Sequence, residues 1–375
     1  MKSGIGKFFN EILVPAGMMA SLIIGAGMFS LPFVFARSGF IVGTAYLVLM
    51  CAIMAEVHKS YAEIIDKSGE ELRFVGYAEK YLGRGGRVVG SISGLLGILI
   101  TLTIYLVLSV SFIKLIIPSI PSVLAVVLFW AVGSLLIAVG VKKFAGIDVL
   151  FFIGIALIVG IVAIFGLLFG RTDFLAASPA DALGVFFPLA PVLFSLSGRS
   201  AISSIREYFS SKGYSVKNFK KSIFIGTIIP IFVYGLFVVG ISMLSSGGVA
   251  DDAVSGIDLL PSYYLFLLGA LGIFSLITSF IFLGSEFKGI IEKDFKTPSV
   301  ASLLISIGTP ILLFFCGLTN FLTLVGIAGG IFLATESLLV IAIRRRATSR
   351  KRPFDFILIA IFLIAVIYEI VRLAI

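Results

Sequence analysis

Histidine occurs once in this 375-residue chain, tryptophan once and cysteine twice. With His58 as the sole histidine, no histidine cluster can be assembled for a metal, and Cys51 and Cys316 stand far from any metal-ligand spacing. Both cysteines fall inside apolar runs, where they read as small buried hydrophobes and carry no information about redox compartment. The sequence pattern offers no nucleophile with a base beside it, so no enzyme and no cofactor are expected. Charge is scarce too: Asp, Glu, Lys and Arg make up 13% of the chain, against roughly 25% in soluble domains. That scarcity excludes an ordinary soluble domain.

What the chain has instead is hydrocarbon. Hydrophobic residues make up 59% of it, the mean hydropathy is +1.17, and apolar runs of about 18 to 25 residues recur from end to end. This periodicity predicts an all-α integral membrane protein of about eleven spans, over residues 12–36, 40–62, 90–116, 122–140, 147–169, 184–205, 222–244, 262–285, 299–317, 319–343 and 354–374. Lys2 and Lys7 precede a first run too long for a signal peptide and without a small-residue cleavage site, so that run is expected to stay. The formal charge of +9 does not point to nucleic acid, because the basic residues sit at the ends of apolar runs. Lys142 with Lys143, Lys217 with Lys220 and Lys221, and Arg344 to Arg346 with Arg350 and Arg352 alternate onto one side. The positive-inside bias then puts the N-terminus in the cytoplasm and the C-terminus outside a plasma or inner membrane. One transmembrane domain over 1–375 is expected, with the lipid bilayer as its surroundings and an undetermined oligomeric state. The longest outer segment, 245–261, carries Asp251, Asp252 and Asp258 and reads as a lid or as a solvated loop.

Two spans contain helix breakers at membrane depth. The first, Ser21-Leu22-Ile23-Ile24-Gly25-Ala26-Gly27-Met28-Phe29-Ser30-Leu31-Pro32-Phe33, sets two glycines and a proline in a lipid-soluble helix. In hydrocarbon a freed amide has no water to turn to, so such a break survives only beside a cavity or a partner. Opened near Gly25 to Gly27, it presents N–H groups to an anion and carbonyls to a cation. The second is span six, Phe187-Pro188-Leu189-Ala190-Pro191-Val192-Leu193-Phe194-Ser195-Leu196-Ser197-Gly198-Arg199-Ser200. Each break opens a set of five spans, and because five is odd the two sets run oppositely through the membrane. The expected architecture is therefore a 5+5 inverted repeat, 12–169 and 184–343, with broken spans one and six and an extra helix at 354–374. The same glycines also suit close helix packing of the small-xxx-small kind.

Gly25-Ala26-Gly27-Met28-Phe29-Ser30-Leu31-Pro32-Phe33, followed by Ala36-Arg37-Ser38-Gly39-Phe40, resembles the first-span signature of the amino acid/auxin and aromatic amino acid permeases of the amino acid-polyamine-organocation superfamily. Phe194 to Gly198 resembles that superfamily's broken sixth span, and Gly76 to Gly83 its first cytoplasmic loop. The resemblance covers nearly the whole chain and implies the LeuT fold. It further implies that the amides of Ala26 and Gly27 beside Gly25 face a substrate carboxylate, while Phe194, Ser195 and Ser197 line the opposite wall with Phe194 as a lid. It sets Ser275, Thr278 and Ser279 opposite the first break, where with the carbonyls of Ser21 and Ile24 they form a candidate sodium cage; the same hydroxyls can instead bond their own helix.

Other polar groups leave open readings. Tyr105, with Thr101 and Ser109 one turn away on either side, is a candidate carboxylate contact or a tyrosine bonded to a neighbouring helix. Arg199 can replace a bound cation, pair with Glu56 or Glu336, attract an anion, or snorkel to the cytosol. Glu56 and Glu336 are candidate proton carriers or caps for basic helix ends. The expected activity is alternating-access uptake of an amino acid, neutral hydrophobic or aromatic given Phe29, Phe194 and Tyr105, coupled to Na+ or H+. The alternatives are a passive channel or a transporter of an amine or organic acid. A side chain at Gly27 is expected to fill the carboxylate nest without disturbing the fold.

Overall fold

The computed structural model describes residues 4–70, 72–140, 147–172 and 183–374, so Lys2, Lys142 and Lys143 lie outside the described residues. Every regular element among the described residues is helical. The chain begins with α1 (Gly4–Phe8), a π-helical turn (Phe9–Leu13) and α2 (Val14–Ile23), then a 3-10 turn (Ala26–Ser30) and α3 (Leu31–Ser38). α4 (Phe40–Ser68) follows Gly39, whose φ of 84° turns the chain at once into the next helix. α5 (Phe74–Ile116) is interrupted at Gly83 (φ 70°, ψ −158°), which separates a short leading helix from a long apolar one. Then come α6 (Ser122–Val139), α7 (Ile147–Phe169), α8 (Leu189–Ser195), α9 (Arg199–Lys212), α10 (Val216–Leu244), α11 (Ser262–Asp294) and α12 (Ser299–Phe315). α13 (Phe321–Gly326) runs through a π-helical stretch (Ile327–Leu333) into α14 (Ala334–Thr348), and α15 (Phe354–Ala374) ends the chain.

Proline marks many of the starts. Pro121, Pro188, Pro261 and Pro298 cap α6, α8, α11 and α12, and Pro15 and Pro32 stand in the first turns of α2 and α3. At α6, α8, α11 and α12 a missing N–H costs little, because the first turn has no helical carbonyl before it to bond, while Pro15 follows a π-helical turn and Pro32 a 3-10 turn, where the regular bonding already changes.

Among the described residues, seven helices are long and apolar enough to cross a membrane: α4, α5, α6, α10, α11, the continuous run Phe321–Thr348 and α15. The bent pair Gly6–Ile23 and Ala26–Ser38, 49° apart, adds an eighth as one broken span; Gly154–Phe169 and α12 are apolar and shorter. Exposed apolar side chains such as Leu135, Leu167, Phe232 and Val300 cover the outside, which only a hydrocarbon solvent makes favourable over so wide an area.

Three packing relations centre the two breaks. α10 lies against α2, α4 and α7; α11 lies against α5 and α7; α14 lies against α4, α5 and α15. The segment after α10 is neither a bare solvated loop nor free of the core. Asp252, Ala253 and Val254 are buried, the Ser111 hydroxyl of α5 donates to Asp252, and Asp252 in turn accepts from the Ser255 N–H at 2.9 Å.

Glu56 does not reach the broken spans. It is paired with Arg352 and lies 3.4 Å from Lys59, while Arg352 also holds Glu63 at 2.8 Å. α4 runs on to Ser68, beyond the predicted end at 62, and Glu56 and Glu63 on it together hold Arg352 of the linker preceding α15. Glu56 is thus removed from the set of groups facing the centre.

Candidate functional site

At the first break the backbone leaves helical geometry at Ile24 (φ −76°, ψ 76°) and Gly25 (φ −119°, ψ −149°), and a 3-10 turn begins at Ala26. The N–H groups of Ala26 and Gly27 open this second half-helix, with no helical carbonyl before them. At the second break α8 ends at Ser195, Leu196 (φ −98°, ψ 5°) and Gly198 (φ −148°, ψ 13°) depart from the helix, and α9 starts at Arg199.

The two breaks touch. A Cβ built on Gly27 would stand 2.5 Å from Cα and 2.9 Å from N of Ser195, so only glycine allows this approach. The expectation for Gly27 is corrected accordingly: a side chain there strikes backbone before it reaches a cavity. Gly25 has the room that Gly27 lacks, since a Cβ on it would meet the Tyr105 hydroxyl at 3.5 Å and the Leu22 carbonyl at 3.8 Å.

A cavity of about 70 Å³ lies between the breaks. Gly25, Ala26, Gly27, Tyr105, Phe194, Ser197, Arg199 and Glu336 all line it, joined by Gly97, Thr101 and Ser200. Small-molecule sites begin near ~300 Å³, so this cavity is smaller than such a site. A second space of about 430 Å³, lined by Arg73, Tyr77, Ser203 and Arg206 among others, lies one turn further along α9. Arg199 stands at the partition, its guanidinium 4.2 Å from the Phe74 ring centre and 5.7 Å from that of Tyr61.

Arg199 does not snorkel. Its Nε donates to Glu336 Oε2 at 2.8 Å, with the two side chains 11% and 6% exposed. A buried pair of this kind is costly to break, because either partner alone would be an uncompensated charge.

Several expected site residues do not line the cavity. Phe29 is fully buried with its ring against Phe112 (4.9 Å) and Phe237 (5.5 Å), because the 3-10 turn after Gly25 rotates it into the packing with α5 and α10. Ser195 contributes its backbone to the Gly27 contact, and its hydroxyl donates to the Val192 carbonyl at 2.8 Å. In the candidate sodium cage, Ser21 donates to Met18 O at 3.1 Å and Thr278 to Ser275 O at 2.8 Å, each within its own helix. Ser275 and Ile24 are buried, and Ser279 lies by the Tyr105 hydroxyl.

Two residues with no site role expected from sequence hold the breaks, and a third lies within reach of the Arg199 charge. The Tyr234 hydroxyl of α10 lies 2.8 Å from the Ile23 carbonyl and 2.6 Å from that of Ser195, one freed oxygen from each break. His58, fully buried, accepts the Gly198 N–H on Nε2 at 3.2 Å. Its Nδ1 lies 3.1 Å from Thr227 Oγ1, which itself donates to Ile223 O at 2.8 Å. The Thr227 proton being committed, His58 must donate from Nδ1 and accept on Nε2, the neutral tautomer. Glu286 of α11 is the third. Its Oε2 is buried without a hydrogen-bond partner, and the charges of Arg199, Arg73 and Glu336 act on it. The predicted eighth span stops one residue short of it, which is why it escaped notice.

This geometry has relatives. Among solved structures, the chain superposes on MhsT in complex with L-phenylalanine with a TM-score of 0.57 at 16% identity, over 98% of each chain. On the Eremococcus coleocola manganese transporter the TM-score is 0.68 at 14% identity, over 99% of this chain and 88% of that one. At such identities these neighbours establish the LeuT-type fold alone. In sequence, the chain is 29% identical over 244 residues to Tyrosine-specific transport system 2 of Haemophilus influenzae, covering 61% of this chain and 56% of that protein. Tyrosine-specific transport system 1 of the same organism is 25% identical over 231 residues, with the same two shares. The chain thus spans little more than half the length of these relatives. The sequence profile that matches residues 9–373 is that of a transporter family and not of an enzyme family: the chain belongs to the tryptophan/tyrosine permease family.

Proposed function

We propose that the chain is a secondary active permease for an aromatic amino acid, working by alternating access with cation coupling. The observation that carries this reading is the cavity between two broken helices, which combines the unbonded amides of Ala26 and Gly27 with Tyr105, Phe194 and Ser197. The amides offer the positive end of a half-helix to the substrate carboxylate, and Phe194 and Ile98 offer apolar surface to its side chain. Membership of the tryptophan/tyrosine permease family and the L-phenylalanine bound in MhsT support an aromatic ligand.

On this reading one transporter domain spans 1–375, with eleven spans as a 5+5 inverted repeat plus α15, in a plasma or inner membrane with the N-terminus inside. The contracted cavity belongs to a closed form, and the bundle carrying α2, α8 and α9 rocks against the rest to admit substrate. Coupling is by Na+ at Ser21, Ile24, Thr278 and Ser279, or by H+ on the acidic groups around Arg199.

Thermal stabilisation of the purified protein by the twenty amino acids, each with sodium, with potassium and at two pH values, tests the reading, because a ligand of the native state raises Tm. Stabilisation by aromatic amino acids is expected. Enhancement by sodium assigns coupling to the hydroxyl cage, and enhancement by acid assigns it to the carboxylates. Stabilisation by amines or organic acids alone would replace the amino acid as substrate.

A further inference from the structure

One face of α9 runs through both cavities. Arg199 and Ser200 line the space between the breaks, and Ser203, Arg206 and Glu207, on the same face of the helix, line the second space of about 430 Å³. Lys212 ends this helix and Lys217, Lys220 and Lys221 follow in α10, so the second cavity lies on the basic side of the protein, which the positive-inside bias assigns to the cytoplasm. Its volume falls within the range of small-molecule sites, roughly 300–1,000 Å³.

The charged groups that line it are open to a ligand. Arg73, just before α5, makes no side-chain bond to cap that helix, and among the described residues no carboxylate pairs with Arg73 or with Arg206. The Glu286 carboxylate acts on Arg73 from beyond pairing distance, and the Arg206 guanidinium lies 5.6 Å from the centre of the Phe219 ring. Glu207 is exposed and pairs with no cation among the described residues, whereas Glu70 on the same wall is already held by Lys80 at 2.9 Å. Ile65 and Leu72 add an apolar side. The Tyr77 hydroxyl donates to the Glu70 carbonyl at 2.8 Å and so fixes the segment that carries Leu72 and Arg73.

The signs of these charges say which ligand fits. Two guanidinium groups lining one cavity call for an anion, and their planar donors match a carboxylate best. A simple anion would answer only half of the lining, because Glu207 and Asp294 face the same space with the opposite sign. A ligand with carboxylate and ammonium on one carbon answers both signs, and Ile65 and Leu72 receive its side chain. The space between the breaks reads the same zwitterion through different groups, since its amides stand in for the guanidinium groups and Arg199 there is already paired with Glu336.

We propose that the second cavity is a separate binding site for a free amino acid, with the carboxylate between Arg73 and Arg206 and the ammonium toward Glu207. The identity of the ligand rests on the permease reading, and the site is distinct from the one between the breaks.

Equilibrium dialysis of the purified full chain with radiolabelled tyrosine, phenylalanine and tryptophan counts the sites. Two molecules per chain are expected at saturation, and one for Arg73→Gln with Arg206→Gln, which removes both guanidinium groups without breaking an ion pair. Glu207→Gln changes an exposed residue, is expected to fold as the wild type does, and is expected to weaken the second site at least tenfold. Tyramine, which lacks the carboxylate, and phenylpropionate, which lacks the ammonium, are expected to displace nothing from it. A single wild-type site that survives the double variant overturns the proposal and leaves the site between the breaks standing, as do two sites that persist in every variant. A single site that the double variant abolishes bears out the second cavity and overturns the one between the breaks. Displacement by phenylpropionate as strong as by phenylalanine overturns the zwitterion in favour of a plain anion. Binding of no aromatic amino acid overturns both readings.

Discussion

The two breaks are built from the same kinds of residue and held in different ways. At the second, the freed carbonyl of Ser195 faces Tyr234 and the freed amide of Gly198 is taken by His58, so side chains from α10 and α4 secure both ends of the gap. At the first, Tyr234 reaches the carbonyl of Ile23, and among the described residues no side chain takes the amides of Ala26 and Gly27. Sequence composition gives no hint of this asymmetry, since glycine, serine and proline crowd both stretches. The second break is complete within the protein, whereas the first keeps two amides open, where the proposed substrate carboxylate would supply the acceptor.

Substitutions can break this comparison, and the largest effect is expected at the contact between the breaks. Gly27→Val drives a side chain into the Ser195 backbone, and loss of monodisperse protein in size-exclusion chromatography is expected, with no separable effect on binding. Next come the pins of the second break. His58→Ala strands a buried amide and Tyr234→Phe removes the one proton that two carbonyls share; each is expected to destabilise the fold by about 1–3 kcal/mol, read as a lower Tm without ligand. Gly25→Ala sharpens the contrast from the other side. Its methyl fits against the Tyr105 hydroxyl at 3.5 Å, so an unchanged Tm is expected together with at least a tenfold loss of substrate affinity. If instead Tm fell and affinity held, the first break would be a packing device like the second.

The smallest effect belongs to the loop after α10. The Asp258 carboxylate accepts from the Ser246 hydroxyl at 2.5 Å and from the N–H groups of Ser246 and Gly247 at 3.0 and 3.2 Å, and these bonds hold its pKa below the ordinary value, the Ser246 hydroxyl contributing most. A depressed carboxylate stabilises the folded loop above its unfolded pKa, and that contribution is lost as pH falls through the folded value. Hydrogen exchange of the Ser246 and Gly247 amides is therefore expected to be protected at neutral pH and to lose protection below about pH 4.

Both breaks, the apolar spans and much of the cavity wall were legible because each rests on a local rule. Glycine and proline at membrane depth mark an open backbone, and helical spacing puts Thr101 and Tyr105 on one face of α5. Direction was less legible. Phe29 sits two residues past Gly27, yet a tight turn swings its ring away from the cavity, and the sequence does not encode that rotation. Partner choice was the least legible. Arg199 had Glu56 and Glu336 as candidates, and the fold gives Glu56 to Arg352 and Glu336 to Arg199. Tyr234 and His58 carry no motif at all, since their roles depend on which carbonyl and which amide the folded chain brings to them.

Tyr234 has one proton and two oxygens to give it to. A hydroxyl rotating between two carbonyls that are 2.8 and 2.6 Å away loses one bond as it gains the other, so the exchange leaves the number of bonds unchanged. On the proposed alternating-access reading, α10 thereby acts as a swivel bearing between the two half-helices: it tolerates a small rotation of one against the other and resists their separation. A carrier that rocks as proposed requires a joint of this kind, one that turns freely and does not stretch.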